Sequence, residues 1–393
     1  MPDRRLVVGL PSARMRHFCI STPLGTPPRA CVVRIGLETS AISFNSAGTA
    51  RYSQAILNAL RALASNEIDL IELKAARSLR LPEPGLARKL FVAYWEFLYC
   101  TRILPVHLKR YNIDLLHCTT PMPLHAGLHA TGTKIVTTIY DVIPFSHPEW
   151  FSPVMGLRLR KWMRNSVQYS QHLIAISNFT KKSLSDYLNV PDTRITVTYL
   201  GVSRPQTVAH LELESPLLAV GSLEPRKNLP LVLEAYHILK KRVHTPPKLL
   251  IVGGKGWGDI ALTGLIRKYE LEDVVQLLGF VPDEKLFALY QAARMLIYPS
   301  LQEGFGLPIL EAMACGCPVI TANTSSLPEV AGEAGLLVDP HDVQHLADAM
   351  HKVLTDDTLA WSMRQRGIRR AGRFSWQRCA QQTVGVYRQV LEQ

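Results

Sequence analysis

The chain has 393 residues, 47% hydrophobic and 19% charged, which excludes a disordered or fibrous protein and gives enough length for two domains with full cores. Its net charge of +12 is unevenly placed: residues 1–203 carry 24 Lys and Arg against 12 Asp and Glu, whereas residues 204–393 carry 20 against 20. Nucleic acid, an acidic membrane surface, a phosphorylated acceptor or a merely soluble basic surface each fits that asymmetry.

In chain order, residues 1–30 show no sustained period and read as an extension outside the core. The fold begins at Cys31. Cys31–Leu37 reads as a strand, and Arg51–Leu60 as a helix with apolar positions at helical spacing. Further strands are expected at Ile68–Leu73, Ile113–His117, Lys134–Ile139, His172–Ile176 and Arg194–Thr198, with helical stretches between most of them. That alternation makes residues 31–203 a doubly wound, Rossmann-like α/β domain. Residues 204–216 read as a linker. Residues 217–372 repeat the pattern, with strands at Leu217–Gly221, Lys248–Val252, Val274–Leu278, Arg294–Tyr298, Pro318–Thr321 and Gly335–Val338. A last helix, about Trp376 to Leu391 within residues 373–393, has no strand after it.

The seven cysteines, at 19, 31, 100, 118, 315, 317 and 379, match no zinc or redox spacing and read as reduced thiols in the cytosol. No signal-peptide pattern opens the chain, and Leu90–Leu108 is broken by Glu96, Arg102 and Pro105, so no spanning helix is expected. The run from Arg88 to Arg110 interleaves aromatic residues with Arg88, Lys89, Arg102, Lys109 and Arg110. It fits either a helix packed on the first sheet or a membrane-interface segment.

Chemistry concentrates after two strands of the second half. Beyond Arg294–Tyr298, Glu303-Gly-Phe-Gly-Leu-Pro-Ile-Leu-Glu311 puts a glycine loop at a helix start, where Pro308 suits the first turn. Backbone N–H groups of Gly304, Phe305, Gly306 and Leu307 there attract an anion such as a diphosphate. Glu303 and Glu311, one on each side, suit hydroxyls and so a sugar-rich ligand. After Leu217–Gly221, Arg226 and Lys227 supply two cations that would neutralise a diphosphate. A solvated turn with two exposed cations is the alternative.

The Glu-x7-Glu spacing with Gly-Phe-Gly-Leu-Pro inside it resembles the donor-site motif of the retaining family-4 glycosyltransferases of GT-B architecture. The Thr137-Thr-Ile-Tyr-Asp-Val-Ile-Pro144 stretch resembles that of bacterial mannosyl- and rhamnosyltransferases, with Tyr140 in place of a histidine. The resemblance implies two Rossmann-like domains, acceptor-binding and nucleotide-sugar-binding, with a cleft between them and a C-terminal helix that crosses back to the first domain. It implies diphosphate contact by Lys227, donor-sugar contact by Glu303 and ribose contact by Glu311. Gly48, in Ser46-Ala-Gly-Thr-Ala-Arg-Tyr52, takes the place of a loop glycine that approaches the donor phosphates, although Ala50 replaces the usual second glycine. Asp141 would hold an acceptor hydroxyl or stabilise charge on the donor sugar, or is a turn-capping carboxylate. The loops in Ile251–Gly256 and Leu278–Pro282 would line the base pocket, and Glu329 lies in a loop near the donor sugar or caps a helix.

The expected reaction moves a hexose, mannose from GDP-mannose, to a glycan or polyprenyl-diphosphate-linked acceptor in polysaccharide biosynthesis. The expected location is cytoplasmic, peripheral at the inner face of the membrane, with no cofactor, no metal and no nucleic-acid partner. A nucleotide-sugar-binding regulatory subunit without turnover and a GT-B nucleotide-sugar epimerase are the alternatives.

Overall fold

A computed structural model describes residues 32–44, 48–63, 68–75, 86–202, 215–254, 256 and 262–393. The extension at 1–30 and nearly all of the linker at 204–216 lie outside the described residues. The chain forms two parallel six-stranded sheets with helices between their strands.

The first sheet has the order β2-β1-β3-β4-β5-β6, from β1 (Val33–Glu38), β2 (Ile68–Leu73), β3 (Leu115–Cys118), β4 (Lys134–Ile139), β5 (His172–Ala175) and β6 (Ile195–Val197). The second has the order β12-β11-β10-β7-β8-β9, from β7 (Leu217–Val220), β8 (Leu249–Val252), β9 (Val275–Gly279), β10 (Met295–Tyr298), β11 (Val319–Ala322) and β12 (Leu336–Val338). Strands such as β7, β10 and β11 are buried at every position, as sheets covered on both faces require. The strand order reverses between β1 and β3 in the first sheet and between β7 and β10 in the second, and such switch points open a crevice at the carboxyl ends of the strands.

The two halves share one continuous apolar cluster that runs from Leu37, Tyr52 and Val136 through Leu218 and Ile309 to Val384 and Val390. The crossover helix Trp376–Leu391 packs on the helix Gly48–Ala62 and reaches β4 and β5 of the first sheet. Its Tyr387 hydroxyl lies 2.7 Å from Nδ1 of the fully buried His117. Nε2 of His117 meets Thr138, which also meets Tyr52, so a hydrogen-bond chain ties this helix to the first sheet. Burial alone pushes the His117 imidazole down to about 3, and the ring is neutral at physiological pH.

The run expected at Arg88–Arg110 is helical, with a π-helical segment at Trp95–Ile103. Trp95, Tyr99, Cys100, Leu104 and Leu108 face the core, which is the packed-helix reading. Phe97, Leu98 and Val106 nonetheless point outward, Phe97 at 69% exposure. Cys100, Cys118, Cys315, Cys317 and Cys379 are free and buried.

Candidate active site

The β7/β10 switch point collects the second-half residues singled out by spacing. Beyond β7, Pro225–Lys227 forms a 3-10 turn, Asn228 takes a left-handed conformation at φ 56°, and the helix Leu229–Arg242 follows. Arg226 and Lys227 therefore precede the helix rather than open it. Lys227 is buried, which rules out the exposed-turn alternative. Beyond β10, Gly306 adopts φ 103° and starts the helix Leu307–Ala314. That left-handed step suits glycine, and a Cβ there would also lie 2.8 Å from Leu327. Among the described residues, no backbone carbonyl accepts from the N–H groups of Gly304, Phe305, Gly306 or Leu307, so the anion-attracting helix end is open. The Phe305 ring itself is buried beside Tyr199 and Phe374.

The two cations are not free. One oxygen of Glu303 accepts from Lys227 Nζ at 2.5 Å, the Tyr298 hydroxyl at 2.7 Å and Ser300 Oγ at 2.8 Å. The other accepts from Arg226 at 2.6 Å, and Arg226 Nε donates to Glu224 at 2.7 Å. Two carboxylates thus neutralise two cations in a buried cluster, as buried charge demands. Burial would raise the Glu303 carboxyl, but Arg226 and Lys227 outweigh it and hold the group down to about 2. Burial, then the neighbouring Arg226, lowers the Lys227 ammonium despite its contact with Glu303. The arrangement leaves hydrogens on both cations uncommitted, so Glu303 aims them without exhausting them.

Glu311, also buried, accepts from Arg51 at 2.9 Å and from the Tyr290 hydroxyl at 3.2 Å. Arg51 comes from the first half, in the opening turn of the helix Gly48–Ala62, and it also pairs with Asp283. It crosses the cleft. Spacing alone missed Arg51, Tyr298, Tyr290 and Asp283; a cation in the first turn of a helix, where the dipole disfavours it, was the available signal for Arg51.

Gly48 begins that same helix, and Leu307 is the nearest neighbour to where its side chain would be, at 4.0 Å. The structure therefore sets Gly48 opposite the glycine loop. Asp141 also faces this loop: a Cβ on Gly304 would lie 3.3 Å from the Asp141 Cβ and 1.9 Å from the Tyr140 carbonyl oxygen. Asp141 caps its own turn by accepting from the Ile143 N–H at 3.1 Å. Burial raises its carboxyl, with Arg226 pulling the other way. The Tyr140 side chain turns from the cleft, donating to the Thr119 carbonyl and meeting Tyr52 edge-on. Glu329 caps a helix of the opposite half, accepting from the N–H groups of Asn178 and Phe179 at 3.0 Å each. Phe280, in the loop after β9, is 71% exposed beside Gly254. Asp342 caps a helix through His345 N–H and Asp339 accepts from His341 N–H; neither sits at a metal cluster, and the described residues contain none.

Residues 209–371 match the family described as glycosyl transferases group 1, and residues 46–204 match glycosyltransferase family 4. O-antigen chain mannosyltransferase B of Escherichia coli is 36% identical over 267 residues, 65% of this chain and 70% of that protein. The chain belongs to the family-4 glycosyltransferases. O-antigen chain mannosyltransferase RfbU of Salmonella typhimurium is 32% identical over 246 residues, covering 63% of this glycosyltransferase and 67% of RfbU. Among solved structures, sucrose-phosphate synthase from Thermosynechococcus elongatus superposes with a TM-score of 0.71 at 22% identity, covering 92% of this chain and 99% of its own. HepE from Anabaena in complex with UDP-glucose gives 0.68 at 18% identity, covering 91% and 99%. These two likenesses establish the GT-B fold and no more.

Proposed function

We propose that this glycosyltransferase moves mannose from GDP-mannose to a glycan or polyprenyl-diphosphate-linked acceptor in polysaccharide biosynthesis, with retention at the anomeric carbon. The observation that carries this reading is the 36% identity to an O-antigen chain mannosyltransferase. In this reading the donor diphosphate lies against Lys227, Arg226 and the N–H groups of residues 304–307. These groups are fixed before reaction and meet the negative charge that builds on the leaving diphosphate as the glycosidic bond breaks. Glu303 takes donor-sugar hydroxyls beside the cations it aims. Glu311 takes the ribose in exchange for Arg51, and Gly48 admits the phosphates from the opposite wall. Asp141 faces the sugar and holds the acceptor hydroxyl or the positive charge that develops on the ring. The reading calls on no metal ion.

The acceptor side works at an acidic membrane surface, and nucleic acid is not its partner. Exposed Leu90, Phe97, Leu98 and Val106 lie on a segment with Arg102, Lys109 and Arg110, and no helix among the described residues is long and apolar enough to cross a bilayer. The donor is tested by thermal shift with nucleoside diphosphates. A ligand at 100 times its dissociation constant stabilises by about 2.7 kcal/mol, so GDP is expected to raise the melting temperature more than UDP. A larger shift with UDP overturns the GDP assignment and leaves family membership untouched.

A further inference from the structure

We propose that the turn between the last two helices carries a second anion site, built from Arg370, Arg373 and Arg378, that takes a phosphate or diphosphate group. A cavity of about 170 Å³ lies where the chain leaves the helix Asp357–Ala371 and enters the crossover helix. Tyr199 and Phe374 form an aromatic wall, their rings 5.7 Å apart, and the three arginines, Ser375 and Gln382 form the rest of the lining. No carboxylate lines it, and none of the donor-site residues does.

The cluster differs from Arg226 and Lys227. Those cations are neutralised by Glu303 and Glu224, whereas Arg373 and Arg378 have no ion-pair partner among the described residues. Arg370 is fixed in place: Nε donates to the Val330 carbonyl at 3.0 Å, a second nitrogen donates to the Glu329 carbonyl, and its guanidinium stands 5.1 Å over Phe374. Burial, and then the charge of Arg373, push the Arg370 group below its usual range, with Tyr199 and Glu329 pulling the other way. Glu329, the carboxylate that acts on Arg370, is already committed to Asn178, Phe179 and the Tyr199 hydroxyl.

The crossover helix adds to the imbalance. Its first turn holds Arg378 and no acidic residue, so a cation stands at the positive end of the dipole. Three positive groups around a cavity, at a helix end that itself favours negative charge, attract an anion to the space between them. Guanidinium forks bind phosphate oxygens in pairs, and a cavity of about 170 Å³ admits a phosphate or diphosphate. Tyr199 spans the cavity and the site loop, its ring 6.2 Å from that of Phe305. A bound anion would join the last two helices to Tyr199.

The test titrates full-length protein with inorganic phosphate and with pyrophosphate by calorimetry, at constant ionic strength set with chloride. Wild type, Lys227→Ala and the double variant Arg373→Gln/Arg378→Gln are compared. Saturable binding that survives in Lys227→Ala and weakens tenfold or more in the double variant is expected, with the double variant melting no lower than wild type in the absence of phosphate. A headgroup as the source is read by repeating the comparison with phosphatidic acid vesicles: a difference between wild type and the double variant on vesicles alone also supports the site. Binding lost in Lys227→Ala but kept in the double variant places the anion in the donor cleft and overturns the proposal. So does the absence of saturable binding to any of the three probes, or equal displacement by chloride, which is screening only.

Discussion

Lys227 is held by the carboxylate with which it would share the donor. Its Nζ sits 2.5 Å from Glu303 and 4.9 Å over the Tyr298 ring, so the ammonium is aimed before any diphosphate arrives. Removing it should lower transfer about 100- to 1,000-fold, the usual cost of one fixed charge-stabilising contact. Steady-state rates check this, and activity within about threefold of wild type would take Lys227 out of the site. Both residues were legible in the sequence because each follows a strand. Their mutual pairing was not, since 76 positions separate them and only the sheet order brings β7 beside β10. Glu38 escaped notice for the same kind of reason. It ends β1 fully buried, and burial, partly offset by hydrogen bonds from Ser40, raises its carboxyl to about 7. A folded-state value above the unfolded 4.5 means the native protein binds more protons between them. Stability from this group is complete below pH 4.5 and lost as the pH rises through 7. Glu38→Gln should therefore gain on wild type by up to about 3 kcal/mol between pH 4.5 and 8, measured by urea unfolding across that range. A difference that does not change with pH would show that Glu38 does not titrate there.

The glycine loop after β10 joins the two halves. Thr180 Oγ1 donates to the Tyr140 carbonyl at 2.8 Å and to the Gly304 carbonyl at 3.3 Å, so one hydroxyl clasps loops from both sheets. With the Tyr140 carbonyl 1.9 Å from where a Gly304 Cβ would be, no side chain fits unless the loops part. Gly304→Ala should lower activity by at least tenfold, because displacement of reacting groups by about 1 Å can cost 10²-fold. It should also lower the melting temperature, as overpacking typically costs about 1–3 kcal/mol. An unchanged melting temperature would mean the loops separate freely. Strand positions were readable from apolar runs: Ile68–Leu73 and Lys134–Ile139 match the observed strands end to end. The π-helical stretch Trp95–Ile103 was not, because its side chains follow a wider turn than the 3.6-residue period that reveals an ordinary helix.

At the scale of the whole molecule, the charge split between the halves acquires a place. The outward residues Phe97, Leu98 and Val106 share their segment with exposed Arg102, Lys109 and Arg110. The helix Pro153–Tyr169 lies beside it: Arg158 pairs with Glu96 at 3.6 Å, and the Trp95 and Trp162 rings meet 5.1 Å apart. That helix exposes Val154, Met155 and Leu157. The two helical segments together carry apolar side chains among cations on the half that holds the entire +12. Each cation near an acidic bilayer contributes about 1 kcal/mol, so a few suffice for attachment that is reversible and weakens as salt shortens the Debye length. Flotation with acidic vesicles at low salt should carry the protein upward. Neutralising Lys109 and Arg110 together with Phe97→Ser should abolish flotation, while transfer to a short soluble acceptor persists because none of the three touches the donor site. If the wild-type protein ignores acidic vesicles even at low ionic strength, the basic half is a solvated surface and the acceptor is soluble.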